Sequence, residues 1–166
     1  FEISKILDES NEKVILTFSK TRLKVEIGEI TLITKLINST FPDYESVIPQ
    51  EEEQIMQVNC KEFSETIDRV STISNEKFRT VKFKINENLC VVSSSGNDKS
   101  TGTESINVQY TGPEININFN SRYILDVLSL IKDGAVSFNF SKNTSPTVLK
   151  SDSFKNVLFL IMQMRA

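Results

Sequence analysis

The sequence predicts an α+β protein built mostly from antiparallel sheet, and three observations lead there. Period-2 alternation of apolar and polar residues recurs along most of the 166 residues. Helical spacing is confined to short segments. The two patterns also alternate in a fixed order, one amphipathic helix followed by three short strands, and that cassette can be read three times. Each helix is then available to cover one face of a sheet.

The first copy opens on a short helix, Ile3 to Asp8, and continues through strands Val14–Phe18, Leu23–Ile27 and Ile30–Ile37. Ser19-Lys20-Thr21-Arg22 reads as the connection between the first two strands. The second copy has a leading strand, Gln54 to Val58, and a helix whose Phe63, Ile67, Val70 and, less regularly, Ile73 share one face. Val81, Phe83 and Ile85 then alternate with Lys82, Lys84 and Asn86. Leu89-Cys90-Val91-Val92 forms a short apolar run, and Ile106, Val108 and Tyr110 alternate with Asn107 and Gln109. Between them, Ser94-Ser95-Gly96-Asn97 and Thr101-Gly102-Thr103 read as a mobile polar loop without phosphate-loop spacing. The third copy starts with the alternating strand Glu114 to Phe119. Asn120 or Ser121 caps a helix that points Ile124, Val127, Leu128 and Ile131 inward. Strands Val136–Phe140, Thr147–Leu149 and Val157–Met162 complete it.

Thr40 to Glu53 breaks this rhythm with Pro42, Pro49 and the run Glu51-Glu52-Glu53, and reads as an interdomain linker. The two copies after it make a domain of roughly 115 residues. What precedes it, about 40 residues, is too small to bury a core unaided. The chain also begins at Phe1, inside a predicted helix. The expectation is a fragment of a longer protein.

A net charge of −3 and a pI near 5.2 exclude a simple polybasic nucleic-acid binder but allow locally basic surfaces. Cys60 and Cys90 stand outside any metal-binding spacing, so buried reduced thiols are expected and a metal is not. No apolar run approaches the roughly 18 residues a membrane-spanning helix needs, and no secretory leader is legible, so the expected compartment is the cytoplasm, without membrane association. The chain has no histidine, which removes Ser-His and Cys-His nucleophiles and histidine-based metal sites. Asp43, Glu45, Asp68 and Asp126 are the carboxylates an acid–base pair would have to use, and they read as solvated surface charges. The sequence therefore predicts no catalysis and no cofactor.

Several strings, in order, carry more than periodicity. They are Phe41-Pro42-Asp43-Tyr44 with Val47 and Pro49, Ser74-Asn75-Glu76-Lys77-Phe78-Arg79, Phe119-Asn120 with Tyr123-Ile124-Leu125-Asp126-Val127-Leu128, and the ending Met162-Gln163-Met164-Arg165. With the repeated cassette, these resemble the bacterial DNA polymerase III beta subunit, the replicative sliding clamp, over essentially the whole chain. The resemblance implies the DNA-clamp fold, with residues 1–45 as the second half of a middle clamp domain and residues 46–166 as a complete C-terminal clamp domain. It implies a non-catalytic processivity factor, a homodimeric ring whose helices face duplex DNA without reading its sequence. Here those helices carry Lys5, Lys61, Arg69, Arg122 and Lys132, mixed with Glu62, Glu65, Asp68 and Asp126.

The resemblance also implies a hydrophobic groove for short linear motifs of polymerases, clamp loaders and repair proteins. The matching positions are Pro42, Val47, Asn120, Tyr123, Ser145, Leu160, Met162, Met164 and Arg165. Flexible methionines and an aromatic ring suit varied Leu or Phe anchors, and Asn120 and Ser145 offer hydrogen bonds. The subunit interface falls near Thr72, Ile73 and Phe78. Gln163 departs from the family's usual proline between the tail methionines, Ser46 from a basic residue, and Ala166 from a larger apolar terminus. A stand-alone peptide-binding adaptor without a DNA role is the alternative reading.

Overall fold

Alternation in residues 14–35 becomes a three-stranded antiparallel sheet, the centre of the first of two units in the computed structural model. The structure describes residues 2–7, 13–41, 43–49, 54–75, 78–141 and 146–164. The first unit, Phe1–Pro42, holds helix α1 (Glu2–Ile6) and strands β1 (Val14–Phe18), β2 (Arg22–Ile27) and β3 (Ile30–Lys35) in that order across the sheet. Asp8, expected in the helix, lies outside the described residues. The β1–β2 connection is fastened at both ends. The Ser19 N–H donates to the Arg22 carbonyl at 2.8 Å, and Ser19 Oγ accepts from the Arg22 N–H at 2.9 Å.

The second unit, Asp43–Ala166, begins with a single 3₁₀ turn at Glu45–Val47, so the expected linker carries local structure. The next repeat runs β4 (Gln54–Asn59), α2 (Cys60–Ser71), β5 (Thr80–Asn86), β6 (Leu89–Ser95) and β7 (Thr101–Asn107). The last runs β8 (Ile115–Asn120), α3 (Ser121–Ile131), β9 (Ala135–Phe140), β10 (Thr147–Ser151) and β11 (Phe159–Ile161). α3 starts as the sequence indicates, and α2 has an equivalent cap. The side chain of Asn59 accepts from the Glu62 N–H, and that of Asn120 accepts from the Arg122 N–H. Such caps contribute about 1 kcal/mol each.

The leading strand of each repeat pairs with the other repeat. One sheet has the order β11-β10-β9-β4 and the other β7-β6-β5-β8. The registers match as well: Asn59 pairs with Ala135 in one sheet as Asn120 pairs with Thr80 in the other. Two isolated bridges, Gln57 with Gln109 and Asn118 with Met164, join the sheets at their remaining edges. These pairings relate the repeats as a twofold exchange would, and each bridge links the two sheets through a single residue pair. α2 and α3 lie side by side over a single core, whose Phe63 packs edge-on against Phe83 at 5.2 Å and Phe138 at 5.3 Å between ring centroids.

Four local expectations need correction. Thr101-Gly102-Thr103, expected in a mobile loop, belongs to β7 and pairs with Ser93–Ser95. On a sheet edge the backbone ladder holds such a strand without an apolar face, so hydropathy does not mark it. The strand expected over Ile106–Tyr110 ends at Asn107, although Val108 and Tyr110 stay buried past it. Ile73 lies beyond α2 rather than on it. It fills the space opposite Gly102, where a Cβ would stand 2.8 Å from Ile73 Cδ1. The strand expected over Val157–Met162 is confined to Phe159–Ile161, because a 3₁₀ turn at Asp152–Phe154 leads into an exposed Val157.

Candidate functional site

The C-terminal tail sets the geometry. In an extended segment, Leu160, Met162 and Met164 fall on one side. Cross-strand pairing places Leu160 in a row with Val148, Asn139 and Ile55 on the face of the sheet opposite the core. Val148 and Asn139 are 2% and 3% exposed yet lie outside the core cluster, so this outer face is itself covered there. Asn139 Oδ1 is buried without a hydrogen-bond partner. Beyond β11, Met162 is 63% exposed. The Met164 N–H then donates to the Asn118 carbonyl at 2.8 Å, and its sulfur receives the Thr80 hydroxyl at 3.8 Å.

Thr80 is the cross-strand partner of Asn120, so the tail reaches the start of α3. Asn120 already serves the scaffold. Its Oδ1 accepts from the Arg122 N–H at 3.0 Å and its Nδ2 donates to the Phe78 carbonyl at 3.3 Å. One amide hydrogen and one acceptor site remain for a ligand. Tyr123, in the first turn of α3, is 60% exposed, and Val47 is half exposed on the 3₁₀ turn. Asn120 and Met164 are thus brought together through Asn118 and Thr80, with Met162 and Tyr123 presented to solvent. Pro42, Ser145 and Arg165 lie outside the described residues. Sequence reasoning missed Ile55, Val148 and Asn139, because only strand register shows that they share a row with Leu160.

The repeat supplies an internal comparison. The Gln57–Gln109 bridge is the counterpart of Asn118–Met164, and Asn107, Gln109 and Glu62 stand where the tail seam has Met162, Met164 and Tyr123. The same backbone is therefore lined by apolar side chains at one seam and polar ones at the other. A cleft of about 380 Å³ marks the polar seam, lined by residues including Gln57, Asn59, Asn107 and Gln109. It shares Gln57 and Ala135 with a cleft of about 670 Å³ bounded by Ser137, Lys150 and Lys155.

The outward faces of the two adjacent helices carry mixed charge. On α2, Lys61 and Arg69 are exposed among Glu62, Glu65 and Asp68; on α3, Arg122 is exposed with Asp126. Lys132 is exposed at the C-terminal cap of α3, and Lys5 lies on α1 in the first unit. Arg69 is engaged: its guanidinium grips Glu104 of β7 through two hydrogen bonds, 3.0 Å from Nε and 2.5 Å from Nη2. Those bonds hold the Glu104 carboxyl below the usual range and raise Arg69. Asp68 and Asp126 are exposed on helices, and Asp43 and Glu45 are exposed near the 3₁₀ turn.

Thr72, Ile73 and Phe78 cluster around the end of α2. Thr72 is exposed with its hydroxyl on the Arg69 carbonyl at 2.7 Å, Ile73 is half-buried against Gly102, and Phe78 is exposed. Thr72 and Ile73 border a polar cleft of about 610 Å³ shared with the β6–β7 turn. Cys60 and Cys90 are buried and unbridged, and burial pushes the Cys90 thiol up to about 12. Among the described residues no three His, Cys, Asp or Glu side chains converge as a metal site, and no helix is long and apolar enough to cross a membrane.

Comparison with known proteins gives one consistent result. Residues 45–165 match the family described as DNA polymerase III beta subunit, C-terminal domain. The chain is 28% identical to the beta sliding clamp of Vibrio cholerae and 31% identical to that of Caulobacter vibrioides, over 99% of its own length and 45% and 44% of theirs. Among solved structures it is similar to pol III beta of Caulobacter crescentus, with a TM-score of 0.85, and to a sliding clamp of Bartonella birtlesii bound to griselimycin, with a TM-score of 0.82. Both are 31% identical to it, and each match covers 99% of this chain and 45% of the other. The chain thus spans less than half the length of the relatives it matches.

Proposed function

This chain belongs to the DNA polymerase III beta subunit family, and from that premise we propose that it forms part of a sliding clamp, a non-catalytic ring that encircles duplex DNA and tethers a polymerase. In this reading residues 46–166 are the C-terminal clamp domain and residues 1–45 the second half of the middle domain. α1, α2 and α3 face the DNA, and the open edge of β7 with Thr72, Ile73 and Phe78 meets another subunit. Mixed charge on the helices suits this role, since a ring held on DNA by topology needs only loose, salt-sensitive phosphate contacts. The setting is the cytoplasm.

The outer groove takes short linear motifs of polymerase, clamp-loader and repair proteins. What supports this reading is the tail, where Leu160, Met162 and Met164 alternate and Met164 meets Asn118 and Thr80, the cross-strand partner of Asn120. Pro42, Ser145 and Arg165 complete the groove in this proposal. The exposed Met162, the half-buried Met164 and one ring adapt to varied apolar anchors, and the remaining hydrogen-bond sites of Asn120 fix an extended backbone. Capture by an immobilised peptide with a Leu-Phe anchor tests it. Met162→Ala and Tyr123→Ala, both at exposed positions, should each lose retention while the fold persists. Equal retention of parent and variants would remove the groove.

A further inference from the structure

Asp133 stands at the turn between α3 and β9, and Gly134 follows it. No other Asp or Asn in the chain precedes a glycine. Both residues are exposed, and Gly134 has a φ of 86°. The Gly134 N–H donates no hydrogen bond among the described residues, whereas its carbonyl accepts the Cys60 N–H at 2.9 Å and so holds the start of α2. The space around the glycine is open, since an added Cβ would meet only Ser153 Oγ, at 3.9 Å. Other aspartates of this unit are less free. Asp68 and Asp126 sit inside helices, where the following N–H is bound within the helix. The N–H after Asp152 donates to Ser151 Oγ at 3.3 Å, and the Asp98 carboxylate accepts from the Ser100 N–H at 3.0 Å.

We propose that Asp133-Gly134 is a site of spontaneous covalent rearrangement, where the aspartate becomes isoaspartate and undoes one fastening between the repeats. The unengaged Gly134 nitrogen attacks Cγ of the protonated Asp133 carboxyl group. The carboxyl hydroxyl and the proton on nitrogen leave as water, and a five-membered succinimide closes. Water then adds to one of the two ring carbonyls. Addition at Cγ restores aspartate, and addition at the backbone carbonyl carbon leaves the chain running through Cγ. Atoms are conserved overall, and no reagent besides water takes part. Glycine favours the step, because it has no Cβ to obstruct the nitrogen and adopts unusual backbone angles at little cost. Isoaspartate lengthens the main chain by one carbon just before Gly134, which moves its carbonyl off the Cys60 N–H. The other repeat is an internal control. There the Arg79 carbonyl holds the Ser121 N–H at 2.8 Å, but Phe78 precedes it, so no such ring can form.

Ageing the 166-residue chain for several weeks at neutral pH and growth temperature tests this. Isoaspartate is detected by enzymatic carboxyl methylation and located by fragmenting the digested chain, and amide exchange is followed residue by residue by NMR. Isoaspartate at Asp133 should exceed that at Asp98 or Asp152 several-fold. In the aged fraction the Cys60 amide should lose protection while the Ser121 amide keeps it. Asp133→Glu, at an exposed position where the ring would need six members, should show neither change and keep the far-UV circular dichroism of the parent. Three results would overturn the proposal: no excess of isoaspartate at Asp133, loss of Cys60 protection in Asp133→Glu as fast as in the parent, or isoaspartate at Asp133 with Cys60 still protected.

Discussion

Arg79 and Gly134 hold the same place in the two repeats, one residue before the strand that follows each helix, and both have positive φ, 47° and 86°. Each carbonyl accepts the first helical N–H of the opposite repeat. Arg79 takes that of Ser121 at 2.8 Å, and Gly134 takes that of Cys60 at 2.9 Å. The exchange of leading strands is thus fastened twice by one backbone device, which satisfies an otherwise orphaned helix-end donor in each copy.

A left-handed backbone suits glycine and strains a β-carbon, so the pair predicts opposite effects of substitution. Gly134→Ala should cost about 1–2 kcal/mol, and the cost is conformational, because the added Cβ meets only Ser153 Oγ at 3.9 Å. Arg79→Gly should stabilise by about 0.5 kcal/mol, since relieved strain is partly offset by a freer unfolded chain. Urea denaturation of both variants measures this. Equal effects of the same sign would contradict it.

The sequence made the repeat legible because Phe63, Ile67, Val70, Ile124, Leu128 and Ile131 face one core, and because Val81, Phe83 and Ile85 alternate within it. It could not show which strands pair. Leading strands β4 and β8 look alike in pattern, and their exchange is a long-range fact that local periodicity does not encode. The first part of β7 is not legible for a different reason: its threonines, serine and glycine sit on an edge held by backbone bonds. At the candidate site, resemblance points to Met162 and Tyr123, whereas Val148 and Asn139 need register. The pairing of Arg69 with Glu104 joins residues 35 positions apart and left no local trace.

Burial makes the thiols a probe of the folded state. Desolvation raises both, Cys90 to about 12 against an ordinary value of 9.0. At neutral pH both should resist a disulfide reagent such as DTNB until the chain unfolds. The linkage has a definite sign. A thiol raised in the folded state contributes stability that is fully present below pH 9.0 and is lost as pH rises toward 12. Stability should therefore decline on the alkaline side, and Cys90→Ala should flatten that decline. Rapid labelling of the native chain at pH 7 would refute the assignment.

The two seams provide a graft. Met162→Asn with Met164→Gln gives the tail seam the residues that already line the Gln57–Gln109 seam on an equivalent backbone. The variant should therefore fold. Loss of the apolar lining should cut peptide capture at least about tenfold, equivalent to about 1.4 kcal/mol. Unchanged affinity by fluorescence anisotropy would place the peptide elsewhere.

Arg69 lies on the helix surface proposed to face DNA, yet Glu104 already occupies its guanidinium. A phosphate must compete with a bidentate carboxylate, so Arg69 should contribute little to DNA contact while Lys61 and Arg122 contribute more. Glu104→Gln removes the competing charge. Binding of a short duplex at low salt should then tighten, and the slope of log K against log salt should steepen by about 0.9, the signature of one more neutralised phosphate. Arg69→Ala in the parent chain should leave the slope nearly unchanged, but in the Glu104→Gln background it should abolish the gain. Acid has a related effect with a fixed sign. Arg69 holds the Glu104 carboxyl below its ordinary value, so the pair persists above that value and is lost only as pH falls through the depressed one. The gain from Glu104→Gln should accordingly shrink at low pH, where protonation of the parent's Glu104 frees Arg69 as well. A slope that responds to Arg69→Ala in the parent as strongly as to Lys61→Ala would mean that phosphate displaces Glu104, and that the ion pair does not restrain the arginine.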